Sequence, residues 1–155
     1  MSKVANLAPL QEDLLLETPL LEVIRGLEGV IREDIALAEG ESFAEGDWAV
    51  INADYELEAP GAQGVANCVP VWAGDAEGRS DVHATGKLTV LRRARGFIYR
   101  TSKFDKGETY AVGDKLTVKS LGNGSRVPTK ADTNDAILAR VSKVVSQDVL
   151  EIEVS

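Results

Sequence analysis

One eight-residue pattern occurs twice in this chain and constrains its fold more than any other feature. Gly40-Glu41-Ser42-Phe43-Ala44-Glu45-Gly46-Asp47 returns as Gly107-Glu108-Thr109-Tyr110-Ala111-Val112-Gly113-Asp114, with five identities and the exchanges Ser for Thr and Phe for Tyr. Each copy leads into a short apolar run (48–51 and 115–118), passes a loop containing proline (Pro60, Pro128) and reaches a second apolar run (68–72 and 137–141). The physical content of the pattern is structural. Gly46 and Gly113 supply the positive φ that a tight turn needs. Asp47 and Asp114 bond nearby amides and fix the start of the strand. Phe43 and Tyr110 pack over the end of the β unit, each burial contributing about 2 kcal/mol. Two copies imply two related β units, about 38–73 and 105–145, sharing one core because neither is large enough alone.

The rest of the chain agrees with a β fold. It carries 14 glycines among 155 residues, more turns than a few long helices would use. From about residue 29 the apolar period is two. Ile31, Ile35 and Leu37 share a face, Lys87 to Arg92 alternates, and Leu150, Ile152 and Val154 alternate with Glu151 and Glu153. Residues 93–96 read as the turn of a hairpin running from Lys87 to Tyr99, residues 122–125 as another turn, and residues 146–148 as the turn of a C-terminal hairpin. Eight short strands spaced this way describe a small β-barrel or sandwich, here expected as one β domain over 29–155. Residues 1–28 form an N-terminal arm rich in leucine. Leu20, Ile24, Leu27 and Ile31 suit an amphipathic helix starting at Pro19, although Gly26 and Gly29 oppose it. A short helix near 10–16 followed by an extended arm is the other reading.

Little in the sequence points to catalysis. Cys68 is the only cysteine and lies among valines, as a buried small hydrophobe does. His83 is the only histidine and falls in a polar loop segment. No Gly-x-Ser-x-Gly elbow marks a nucleophile, and Gly122-Asn123-Gly124-Ser125 lacks the Lys-Ser/Thr end of a phosphate loop. Glu41 and Asp47 lie outside any bunched acidic loop of the calcium type. The expectation is a protein that is not an enzyme, with no cofactor, no metal and no membrane span. Charge is unevenly spread. Residues 1–60 sum to −11 and residues 61–155 to +3, and between Lys87 and Lys106 seven bases face Asp105 alone. Such a patch steers docking onto a complementary surface.

The run from Tyr110-Ala111-Val112-Gly113-Asp114 through Leu116-Thr117-Val118, Gly124-Ser125-Arg126-Val127-Pro128 and Asp135-Ala136-Ile137-Leu138-Ala139-Arg140-Val141 resembles the capsid decoration (cement) proteins of tailed bacteriophages. The likeness covers about residues 105–154, with a weaker echo at 38–73. It implies a β-barrel of the β-tulip kind that binds the outer face of the capsid and staples neighbouring capsomers. The implied partner is the major capsid protein, the implied state a homo-oligomer (dimer or trimer), and the implied location the virion exterior after synthesis in the host cytoplasm. On that reading the contact residues are Leu14, Leu15, Leu16, Leu20, Leu21 and Ile24 on the arm and Arg92, Arg93, Arg95 and Arg100 on the basic segment. A tail or head-fibre module is the first alternative. An OB-like nucleic-acid face, with Phe97, Tyr99 and Phe104 between the arginines, is the second, and the net charge of −8 opposes it.

Overall fold

The computed structural model describes residues 19–72, 86–122 and 124–155. Among them are eleven strands and one single-turn 3₁₀ helix, Leu27–Gly29. The strands are β1 (Glu22–Arg25), β2 (Ile31–Ala36), β3 (Trp48–Ile51), β4 (Leu57–Glu58), β5 (Cys68–Pro70), β6 (Lys87–Arg92), β7 (Ile98–Thr101), β8 (Lys115–Ser120), β9 (Arg126–Lys130), β10 (Ala139–Ser146) and β11 (Val149–Val154). The fold is mainly β, as the period-two pattern requires, and every ladder is antiparallel.

The strand order repeats over more of the chain than the sequence motif covers. Sheets β4-β3-β5 and β2-β6 are joined by a bridge between Val71 and Val90, which gives the strand order β4-β3-β5-β6-β2. The large sheet runs β9-β8-β10-β11-β7, the same order with each strand shifted by five places, and β1 is added beyond β7. Individual bonds repeat as well. The Gly46 amide donates to Val71 O at 2.9 Å, and the Gly113 amide to Val141 O at 2.8 Å. The Asp47 carboxylate accepts the Ala44 amide and the Asp114 carboxylate the Ala111 amide, both at 2.8 Å. Gly46 and Gly113 have φ of 89° and 91°, as a turn entering a strand here demands. Upstream, Gly26 and Arg93 both have positive φ. The turns that follow them close with Val30 N–H to Leu27 O at 3.0 Å and Phe97 N–H to Ala94 O at 2.8 Å. Each module therefore begins about twelve residues before the units read from the sequence, in flanks whose residues differ while the backbone path repeats.

Neither module closes into a barrel. In the first, a single parallel bridge from Leu37 to Leu57 links the ends of the strand order; in the second, the Asp105 amide reaches Pro128 O at 2.8 Å. The modules share one core. Trp48, Val50, Cys68 and Trp72 of the first pack with Tyr99, Phe104, Leu116, Leu138 and Ile152 of the second. A smaller cluster around Ile35, Phe43, Leu57 and Val90 belongs to the first module alone. Across the junction Trp48 Nε1–H donates to the buried Tyr99 hydroxyl at 3.0 Å. The 60–64 loop adds a second seam. Gly61 O accepts the Ser120 amide at 2.9 Å, Gly64 N–H donates to Asp135 Oδ1 at 2.9 Å, and Gly64 O accepts the Ala136 amide at 3.1 Å.

Three expectations are corrected. The helix from Pro19 is absent: residues 22–25 form a strand paired with β7, because Gly26 turns the chain at φ 90° and ends any helical register. The hairpin from Lys87 to Tyr99 is also absent. β6 pairs with β2 and β7 pairs with β1 and β11, so residues 93–97 are the crossover between modules. The tulip-like barrel is two open modules with no closed barrel. The C-terminal hairpin and the β8–β9 hairpin form where their turns were read. The helix near 10–16 lies outside the described residues.

Candidate partner-binding surfaces

The residues singled out from sequence divide into those the fold consumes and those it leaves free. On the N-terminal segment, Leu14, Leu15 and Leu16 lie outside the described residues. Leu21 is buried in the shared core, Ile24 is half-buried, and Leu20 is 45% exposed. The part of the arm from Pro19 to Arg25 is thus an edge strand of the fold. It is anchored further where Ser102 N–H reaches Pro19 O and the Thr101 hydroxyl reaches Leu20 O, at 2.6 and 2.5 Å.

The basic segment splits in the same way. Arg92 donates to Glu33 at 2.8 Å and to the Tyr55 hydroxyl at 2.7 Å, and Tyr55 donates to the second Glu33 oxygen at 2.5 Å. The Tyr55 and Arg92 bonds hold the Glu33 carboxyl below its ordinary range, and the same cluster raises Tyr55. Arg100 is paired with Glu151 at 2.6 Å, and Lys103 with Asp47 at 2.7 Å. Lys106 stands 4.1 Å above the Phe104 ring and donates to Ser102 O; desolvation there lowers its pKa. Arg93 and Arg95 are exposed, with no ion-pair partner among the described residues.

Arg95 has company that the sequence did not indicate. It lines a cleft of about 580 Å³ with Gly96, Arg140, Glu153, Val154 and Ser155. Arg140 is exposed and pairs in register with Lys115 on one side and Glu153 on the other. Lys115, Arg140 and Arg95 come from three distant stretches of chain, brought together by the order β8-β10-β11-β7. This strip offers exposed guanidinium and ammonium donors suited to carboxylates, with Glu153 beside Arg140.

Phe43 is buried with the Arg126 guanidinium 4.4 Å from its ring, and Tyr110 packs edge-on to Phe104 at 5.4 Å. Gly40 has φ 81°, and the Gly107 amide is held by Asp105 at 2.9 Å. Glu41 accepts the Ala59 amide and lies 3.4 Å from Arg126. Among the described residues no three His, Cys, Asp or Glu side chains form a metal-holding group. Cys68 is buried, and desolvation pushes its thiol up to about 12. His83 lies outside the described residues.

The aromatics that the OB-like nucleic-acid reading placed between the arginines lie in the core. Phe97, Tyr99 and Phe104 are 0%, 0% and 5% exposed, so none can stack on a base. Their spacing between arginines reflects strand alternation, with core side chains inward and cations outward.

No family model matches the chain, and no curated protein or solved structure is significantly similar to it.

Proposed function

We propose that this protein is a non-catalytic structural component of a virion that binds the outer capsid surface and cements neighbouring capsomers. The observation that supports this reading is the tandem repeat. Two modules of one strand order, locked by a common core and the 60–64 seam, form a rigid body that offers related surfaces twice. A body of that kind suits the bridging of two adjacent copies of a repeating partner, since the second contact is then intramolecular and strengthens the first. The resemblance of residues 105–154 to decoration proteins supplies the major capsid protein as that partner. The cationic strip around Arg95 and Arg140 supplies the electrostatic component, and Leu20 an apolar contact at its margin.

The test is co-sedimentation with purified, DNA-filled particles, followed by thermal rupture of those particles. Saturable binding and a raised rupture temperature are expected. Arg95→Glu with Arg140→Glu should reduce binding at least about tenfold while leaving the melting curve of the free protein unchanged. Failure to sediment at saturating concentration overturns the proposal. Label confined to the tail in electron micrographs would transfer the protein to the tail or fibre class.

A further inference from the structure

The two copies of the turn motif have different surroundings. In the first, the turn holds a lysine of the second module. Lys103 Nζ, from the loop after β7, lies 2.7 Å from Asp47 Oδ1 and donates to Glu45 O at 3.0 Å. The lysine stem crosses Gly46: a Cβ there would lie 2.9 Å from Lys103 Cδ and 2.7 Å from Leu20 O. Only glycine leaves room for that passage. Gly46 is accordingly buried, and the Asp47 side chain is 13% exposed.

The second copy carries the same turn on the surface. Gly113 N–H to Val141 O and Ala111 N–H to Asp114 Oδ2 reproduce the bonds that set the first turn, with φ of 91° at Gly113 against 89° at Gly46. Val112 O and Asp114 Oδ1 thereby take the places of Glu45 O and Asp47 Oδ1. Here Val112 is 69% exposed, the Asp114 side chain 30%, and a Cβ at Gly113 would have nothing within 4 Å among the described residues. Gly113 and Asp114 line a cleft of about 340 Å³ with Lys115, Lys130 and Ala131. Lys130 is a weak competitor for the carboxylate. Its Nζ stands 3.5 Å from Oδ2, the oxygen that already accepts the Ala111 amide, and 5.9 Å from the Tyr110 ring. Asp105 and Glu108 add negative charge around Tyr110 that offsets Lys115 and Lys130.

We propose that the turn Val112-Gly113-Asp114 is a binding site for the ammonium group of a lysine carried on an exposed segment of a partner protein. The partner's Nζ donates to Val112 O and pairs with Asp114 Oδ1, and its stem lies along Gly113, as that of Lys103 lies along Gly46 in the first copy. A compact ammonium reaches a carbonyl and a carboxylate together, whereas a planar guanidinium favours both oxygens of one carboxylate. Val112, where the first copy has Glu45, adds an apolar contact for a residue beside that lysine. The proposal is independent of the capsid reading, because the first copy by itself shows what this turn accepts.

The probe is an end-blocked tetrapeptide with the sequence Thr101-Ser102-Lys103-Phe104, titrated into the isotope-labelled full chain and followed by amide NMR. Saturable shifts of the Val112, Gly113 and Asp114 amides in the millimolar range are expected, as for a single exposed charge-assisted contact. Replacing the peptide's lysine with Nε-acetyl-lysine should weaken binding at least about fivefold. Asp114→Asn, which keeps an acceptor for the Ala111 amide, should do the same. The Gly46 amide should stay still in the wild type and shift in Lys103→Ala, whose first turn can then take the peptide. Absence of saturable shifts at residues 112–114 overturns the proposal, as does equal binding of the acetylated peptide. Shifts of the same amides on concentrating the protein without peptide would give the site to a second copy of this chain, and the assignment to a separate partner would be wrong.

Discussion

Gly64→Ala tests the seam that makes two modules one body. Gly64 is buried and lies outside the positive-φ region, so space alone decides what an alanine would cost. A Cβ there would lie 1.7 Å from Thr117 Oγ1, 2.9 Å from Thr117 Cβ and 3.3 Å from Asp135 Cβ. Rotating the Thr117 hydroxyl relieves the first contact but leaves the second, so the 60–64 loop must also retreat. Overpacking of this kind costs about 1–3 kcal/mol. Retreat also strains the Gly64–Asp135 and Ala136–Gly64 bonds, at about 1 kcal/mol each. The expected total is about 3 kcal/mol, which for a chain of this size lowers the melting temperature by about 10 °C. Urea unfolding followed by fluorescence reads it directly, because Trp48 and Trp72 both lie in the shared core. Adding Thr117→Ala removes the oxygen and should make the double variant at least about 1 kcal/mol more stable than the two single losses sum to. A Gly64→Ala protein within about 1 kcal/mol of wild type, or strictly additive variants, would refute the close-packed seam.

Arg93 occupies with φ 52° the place that Gly26 holds in the other repeat, so Arg93→Gly should stabilise the protein by about 0.5–1 kcal/mol, read from the urea midpoint. Asp47→Ala should cost about 2–3 kcal/mol and Asp114→Ala about 1 kcal/mol in the same assay. Both lose a strand-start bond, but Asp47 also pairs with Lys103 at 2.7 Å whereas Asp114 meets Lys130 only at 3.5 Å. The Cys68 thiol is raised from 9.0 to about 12, so its contribution is fully present below pH 9 and is lost as pH rises from 9 to 12. Cys68→Ala should flatten that part of the stability curve relative to wild type, and the wild-type thiol should react with a disulfide reagent at pH 8 only in denaturant.

What the sequence determined by itself is local. Glycine at a positive-φ position, aspartate three residues after alanine, and apolar alternation act within a few residues. The motif at 40–47 and 107–114, the strands after it and the last two hairpins were therefore legible. The repeat was legible only where side chains are constrained by a turn; beyond it, Gly26 and Arg93 keep the same backbone with unlike residues. Strand partnership is set at long range, and the sequence left it open. The crossover at 93–97 has the composition of a hairpin turn, yet β6 and β7 part because each buries its apolar face in a different sheet. The segment after Pro19 has helical spacing, yet it joins β7 because that edge supplies backbone partners a lone helix would not need. The free cations were decided the same way. Arg92 and Arg100 are neutralised by acids 59 and 51 residues distant, while Arg95 and Arg140 meet at one cleft beside Glu153 with no ion pair among the described residues. Charge pairing depends on distances that only the packed sheets define.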